Sequence, residues 1–228
     1  MKVEQAKIWD KEYGSNSKLI TRSKKPQAFI KRLFKFLKKR GVDFSTYNIL
    51  DLGTGIGRNL IYFSQFGASG IGLDISDVAI SEAKELCKEK KKVEFRVANI
   101  GEVLDLKSET FDLVIDATSS NALSVKQREK YLSEVKRVLK DGGYFFVRAL
   151  CKDGDKNAKK LIQNFPGIEH DTYIMPEVGL VERVFSREDF MKTYSDFEIV
   201  ELKKESGYSK IAKQSYKRNF WICIMRKK

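Results

Sequence analysis

The chain has 228 residues, 42% of them hydrophobic, and a formal net charge of +13. This length and apolar content suit one globular domain with a real core and exclude wholesale disorder. No apolar run approaches the roughly 20 residues that span a bilayer, and Met1–Gln5 is polar, so a cytoplasmic protein with no membrane attachment is expected.

Three widely separated cysteines (Cys87, Cys151, Cys223) and a single histidine, His170, offer neither a disulfide framework nor a zinc site, and no metal is expected. Excess positive charge can serve a nucleic-acid partner. Here the lysines are spread over nearly every predicted helix, which favours solvated faces over a binding tract.

In chain order, Pro26 precedes an amphipathic helix with Phe29, Ile30, Leu33, Phe34 and Leu37 on one face and lysines and arginine elsewhere; Gly41 stops it. Residues 47–51 predict a buried strand, followed by a glycine loop and a helix over 58–66. A second strand spans 70–74, and Ser76 and Asp77 open a helix running to about Lys90. Strands at 93–97 and 111–115 follow, then a helix over 125–139. Asp141-Gly142-Gly143 turns into a fifth strand at 144–147. Residues 151–185 break the rhythm and read as a lid over an active site. Ser186 and Asp189 have capping-box spacing for a further helix, and 197–202 and 219–225 read as the last two strands. One domain is expected, with N-terminal helices in 1–45, a cofactor-binding core in 46–150, the lid in 151–185 and a C-terminal helix and strands in 186–228.

Strands alternating with helices predict a parallel sheet covered on both faces, with ligands at the carboxyl ends of its strands. That rule brings together Asp51, Asp74, Asn99 and Asp116, each at the end of a predicted strand. The loop Asp51-Leu52-Gly53-Thr54-Gly55-Ile56-Gly57 lets backbone approach a ligand closely. Its glycines alone leave several nucleotides open. However, position 58, glycine in the dinucleotide pattern G-x-G-x-x-G, is arginine, and the loop begins with a carboxylate that a pyrophosphate would not tolerate. Asp74, at the end of the next strand, can accept hydrogen bonds from both ribose hydroxyls and would repel a 2′-phosphate. These features ask for a nucleoside with a positive, phosphate-free tail, as S-adenosylmethionine has.

The stretches Ile49–Gly57, Gly72–Ser76, Phe111–Asp116 and Leu139–Tyr144 occur in the order, and at the intervals, of a known family. Over roughly residues 45–150 the chain resembles the class I, seven-strand S-adenosylmethionine-dependent methyltransferases. The resemblance implies an α/β, doubly wound Rossmann-like sheet of seven mostly parallel strands with an antiparallel last strand, and methyl transfer by in-line displacement. It implies that Asp51, Gly53, Thr54 and Gly55 hold the methionine portion. Asp74 then grips the ribose, Ile75 meets the adenine, Asn99 and Ile100 its edge, and Asp116 both methionine and acceptor. Many members carry aspartate where this chain has Asn99. Trp9 and Tyr13 can fold over the cofactor. Asp112 is expected to pair within the fold.

His170 is a candidate base because imidazole is the side chain suited to proton transfer near neutral pH, and Glu182 and Arg183 are candidates for acceptor binding. No Asp/Asn-Pro-Pro-Tyr stretch follows the fourth strand and no Pro-Cys nucleophile exists, so a small-molecule acceptor is the first expectation. The second is RNA or protein, met by Lys203, Lys204, Lys210, Lys213, Lys217 and Arg218. The third is a cofactor-binding protein without catalysis.

Overall fold

A computed structural model describes residues 2–15, 20, 23–89, 92–176, 178–211 and 214–228. Its frame is a seven-stranded sheet in the order β3-β2-β1-β4-β5-β9-β8. The strands are β1 (Asn48–Leu52), β2 (Ser69–Asp74), β3 (Val93–Val97), β4 (Phe111–Ala117), β5 (Leu139–Cys151), β8 (Phe197–Ile211) and β9 (Gln214–Lys227). β1 to β5 pair in parallel; β9 pairs antiparallel with both β5 and β8. The chain runs outward from β1 to β3 and then jumps back to β4, so the order reverses between β1 and β4. The glycine loop leaves β1 at that crevice.

Among the described residues seven α-helices surround the sheet: α1 (Lys2–Gly14), α2 (Ala28–Lys38), α3 (Arg58–Ser64), α4 (Asp77–Leu86), α5 (Val125–Val138), α6 (Lys156–Asn164) and α7 (Arg187–Thr193). The apolar face expected of α2 is buried through Phe29, Ile30, Leu33 and Leu37. It joins Phe146, Leu150, Phe220 and Ile222 on one face of the sheet. The other face packs Tyr131, Val135 and Val138 of α5 against Phe145 and Val147 of β5. Ser124 and Gln127 close a reciprocal capping box on α5, and Ser76 and Ser186 cap α4 and α7. Asp112 pairs within the fold as expected, accepting from the Asn48 N–H at 2.8 Å and meeting Lys140 Nζ at 2.8 Å. Cys87, Cys151 and Cys223 are buried thiols. Among the described residues no helix is long and apolar enough to cross a membrane.

Several boundaries differ from expectation. α4 ends at Leu86, short of Lys90, which lies outside the described residues. β4 continues through Asp116 to Ala117, since hydrogen bonds from Ser119, Ser120 and Tyr131 satisfy the buried carboxylate inside the strand. β5 runs on both sides of residues 144–147. β8 and β9 extend well beyond 197–202 and 219–225, because pairing with each other satisfies backbone that local polarity marks as loop. Within 151–185 the chain forms α6 and a two-stranded antiparallel ribbon of β6 (Thr172–Ile174) and β7 (Val181–Arg183).

Candidate active site

A cavity of about 830 Å³ opens at the β1/β4 crevice. One half is built by the loop residues Gly53, Thr54 and Gly55, with Asp74, Ile75, Asn99 and Ile100. The other is lined by Arg148, Leu150, Met175, Leu180, Glu182 and Phe220. Trp9 and Tyr13 of α1 line it as well. Polar contacts hold α1 there: Gln5 Nε2 donates to the Ala122 carbonyl at 2.9 Å, and Ser76 Oγ donates to Asp10 Oδ1 at 2.6 Å.

The loop is shaped by close approach. Gly53 and Gly55 have φ of +67° and +56°. A Cβ on Gly53 would sit 1.9 Å from Ser119 Oγ, and one on Gly55 would sit 2.6 Å from Tyr13 Oη. Only glycine meets both conditions at low energy. The loop is stitched to β2 by the Thr54 N–H to the Leu73 carbonyl at 2.9 Å, and by the Gly55 N–H to Asp74 Oδ2 at 2.8 Å. Thr118, at φ +78°, is a β-branched residue in the left-handed region at the cavity wall, a strained conformation held by its surroundings.

The electrostatics centre on Asp51. It is 1% exposed and lies behind the loop, outside the cavity lining. Oδ2 accepts from Thr54 Oγ1 at 2.7 Å, but Oδ1 has no hydrogen-bond partner. Burial pushes its carboxyl up to about 7, with the Asp74 and Asp116 carboxylates adding to the rise and the Thr54 hydroxyl opposing it. Asp74 is raised by burial against bonds from Ser76, Gly55 and Ile75 backbone N–H groups. Arg58, the departure from the dinucleotide pattern, lines the cavity, and burial lowers its guanidinium despite Tyr13 and Asp51.

Four sequence expectations change here. Asp116 is 0% exposed and not among the lining residues; its carboxylate is taken up by Ser119, Ser120 and the Tyr131 hydroxyl. His170 has an 83% exposed side chain, stands 3.5 Å from Asp171 and does not line the cavity. Arg183 also lies off the cavity, paired with Asp189 at 2.6 Å, whereas Glu182 lines it. Arg218, expected in a surface basic track, is 1% exposed and paired with Asp155 at 3.1 Å. Of that track, Lys203 meets Glu201 at 2.8 Å, while Lys213 and the side chain of Lys210 lie outside the described residues.

Arg148 was not anticipated. An arginine after Phe145-Phe146-Val147 reads as the end of a strand, yet the apolar Ala149-Leu150-Cys151 beyond it was the signal that β5 continues. Asn121 and Asn59 also line the cavity without having been singled out.

A family model described as a methyltransferase domain matches residues 49–143. An uncharacterized methyltransferase of Schizosaccharomyces pombe is 30% identical over 106 residues, covering 46% of this chain and 72% of that protein. The chain belongs to the class I S-adenosylmethionine-dependent methyltransferases. An uncharacterized methyltransferase of Synechocystis is 34% identical over 97 residues, 42% of this chain and 44% of that one, so the match spans under half of that relative's length. Among solved structures, a methyltransferase from Methanosarcina mazei superposes with a TM-score of 0.72 at 22% identity, covering 84% of this chain and 96% of that one. The 1,6-didemethyltoxoflavin N1-methyltransferase of Burkholderia thailandensis, which holds S-adenosylhomocysteine, gives 0.71 at 17% identity, covering 99% and 88%. At those identities the likeness is one of fold.

S-adenosylmethionine is the cofactor of this methyltransferase family, and the residues present suit it. Asp51 Oδ1, directly behind the loop, is a buried carboxylate oxygen without a hydrogen-bond partner, a donor set that a cationic group would suit. Gly53 and Gly55 themselves line the cavity, so backbone without side chains forms that wall.

Proposed function

We propose that this methyltransferase carries a methyl group from S-adenosylmethionine to a small-molecule acceptor. The observation behind the reading is that the acceptor side, Arg148 to Phe220, shares one walled cavity with the glycine loop instead of lying on an open basic surface. When bound, the cofactor supplies a methyl carbon already activated by positive sulfur.

The protein's part is then to bind, align and take up a proton. Asp51 supplies the counter-charge for the methionine ammonium, and Arg58 that for its carboxylate. Asp74 keeps acceptor capacity after its backbone bonds and accepts from the ribose hydroxyls. Ile75 and Ile100 flank the adenine, and Asn99 meets its edge. Thr54 Oγ1 fixes the Asp51 carboxylate. Residues 151–185 form the cover, through Met175, Leu180 and Glu182. Glu182, raised by burial and hydrogen-bonded by the Tyr173 hydroxyl, is the group that receives the acceptor's proton.

Titration calorimetry with S-adenosylhomocysteine tests the donor half, and absence of heat defeats the reading. For the acceptor, radiolabelled S-adenosylmethionine is incubated with the enzyme and separated small-molecule, RNA and protein fractions of a lysate. Label is expected in the small-molecule fraction; label in RNA or protein defeats that assignment.

A further inference from the structure

The acceptor half of the cavity has a floor made by two paired strands. In the β5–β9 register, Arg148 stands opposite Ile222 and Leu150 opposite Phe220. Arg218 follows on β9 two residues from Phe220, and a period of two puts these side chains on one face. Arg148, Leu150, Phe220 and Arg218 all line the cavity.

The two arginines are placed differently. Arg218 has its charge matched: Nε meets Asp155 Oδ2 at 3.1 Å, and Nη1 donates to the Tyr173 hydroxyl at 2.9 Å. That hydroxyl in turn donates to Glu182. Its Nη2 is buried without a partner. The Arg148 side chain has no ion pair and no hydrogen bond among the described residues. Its guanidinium lies 3.4 Å from the Phe220 ring centroid and 5.0 Å from that of Phe29. Rings on its faces hold the guanidinium plane but satisfy none of the N–H groups on its edge. Glu205, the carboxylate whose field supports Arg148, is itself bonded by Arg32. Burial presses the Arg148 guanidinium down to about 10, so it is a cation at neutral pH.

A charged fork on a cavity wall, clamped by aromatic rings and lacking an anion among the described residues, calls for an anion from the ligand. We propose that the methyl acceptor carries a carboxylate, gripped through two N–H groups of Arg148, with its apolar body against Phe220, Met175 and Leu180. The planar fork of arginine matches the two oxygens of a carboxylate better than any neutral group. Arg218 Nη2 is a second unfilled donor on the same wall. The carboxylate is the handle by which the acceptor is oriented. This proposal rests on the methyltransferase reading above.

The test uses the full chain saturated with S-adenosylhomocysteine. A panel of small aromatic and aliphatic carboxylates, each beside its own primary amide, is titrated by calorimetry and by ligand-observed NMR. At least one carboxylate is expected to bind at least tenfold more tightly than its amide. Arg148→Gln is expected to erase that preference, and Arg148→Lys to retain part of it as a point charge. S-adenosylhomocysteine affinity and melting temperature are measured on every variant, and both are expected to stay within about twofold and a few degrees of the parent. If no carboxylate outbinds its amide, or if Arg148→Gln binds carboxylates as well as the parent does, the proposal is overturned. Failure of the parent to bind S-adenosylhomocysteine instead overturns the underlying donor reading, so the two failures are told apart.

Discussion

Replacing Asp51 with asparagine removes a charge that the ligand-free protein holds at a cost. The carboxyl titrates at about 7 in the folded chain, against an ordinary value of 3.8. Across that window the unfolded chain has released the proton while the folded chain keeps it, so stability is full below 3.8 and is lost as pH rises through 7. Between pH 5 and pH 8 about two pH units fall inside the window. At ~1.4 kcal/mol per unit, the parent loses about 3 kcal/mol through this group. The amide of the variant cannot ionise, so the variant loses none of it. That amide also places an NH₂ where Oδ1 has no partner, a penalty of roughly 1–3 kcal/mol. The penalty does not vary with pH and cancels from the comparison. Urea unfolding of ligand-free parent and Asp51→Asn at pH 5, 6, 7 and 8, followed by circular dichroism, is therefore expected to show the variant gaining about 3 kcal/mol relative to the parent from pH 5 to pH 8. Its affinity for S-adenosylhomocysteine at pH 8 is expected to fall. A stability difference flat with pH would refute the reasoning, and a gain in the opposite direction would reverse it.

Four further outcomes follow from named contacts. Asp74→Ala is expected to weaken S-adenosylhomocysteine binding by about 1–3 kcal/mol through lost hydrogen bonds, read by calorimetry; unaltered affinity rejects its role. Gly55→Ala places a methyl group against Tyr13 at a positive φ, with a backbone cost of about 1–2 kcal/mol; melting temperature and cofactor affinity should both drop, and neither changing would contradict the geometry. Arg218→Met leaves Asp155 buried without its cation, a loss of about 3–5 kcal/mol by urea titration; Asp155→Asn in the same chain should restore part of it. Glu182→Gln is expected to lower turnover at least tenfold with S-adenosylhomocysteine affinity unchanged; full turnover would remove Glu182 from the reaction.

The donor half was legible because its chemistry is local. Asp51, Gly53, Thr54 and Gly55 are neighbours in sequence, and a single crossover brings Asp74 beside them, so their juxtaposition needs no long-range information. Asp116 sits inside a buried strand, which sequence does not distinguish from a strand end when the partners that satisfy the carboxylate, Ser119, Ser120 and Tyr131, are supplied by the next turn and helix. The acceptor half was hidden for the reverse reason. Arg148, Glu182 and Arg218 come from three separated strands and meet only through the β5–β9 register and the β6–β7 ribbon. Read singly, Arg218 is one more cation of a lysine-rich surface; its burial depends on Asp155, 63 positions away.

The β8–β9 hairpin carries a consequence for how such a protein can change. β5 takes up only Asn219–Arg226 of β9, and beyond that point β9 pairs with β8 alone. Arg218, opposite Gly207, and Tyr208, opposite Lys217, both belong to this stretch, which Asp155 and Asn157 tie to the body of the protein, and both reach the cavity. Pairs of residues can therefore be inserted or deleted on the turn side of Lys217 and Arg218 without shifting the register of the other five strands. The glycine loop and Asp74 share no hydrogen bond with it among the described residues. Lengthening or trimming one ribbon at the sheet's edge redraws the mouth offered to the acceptor while the apparatus for the donor stays untouched, which makes the hairpin the natural place to graft a new specificity.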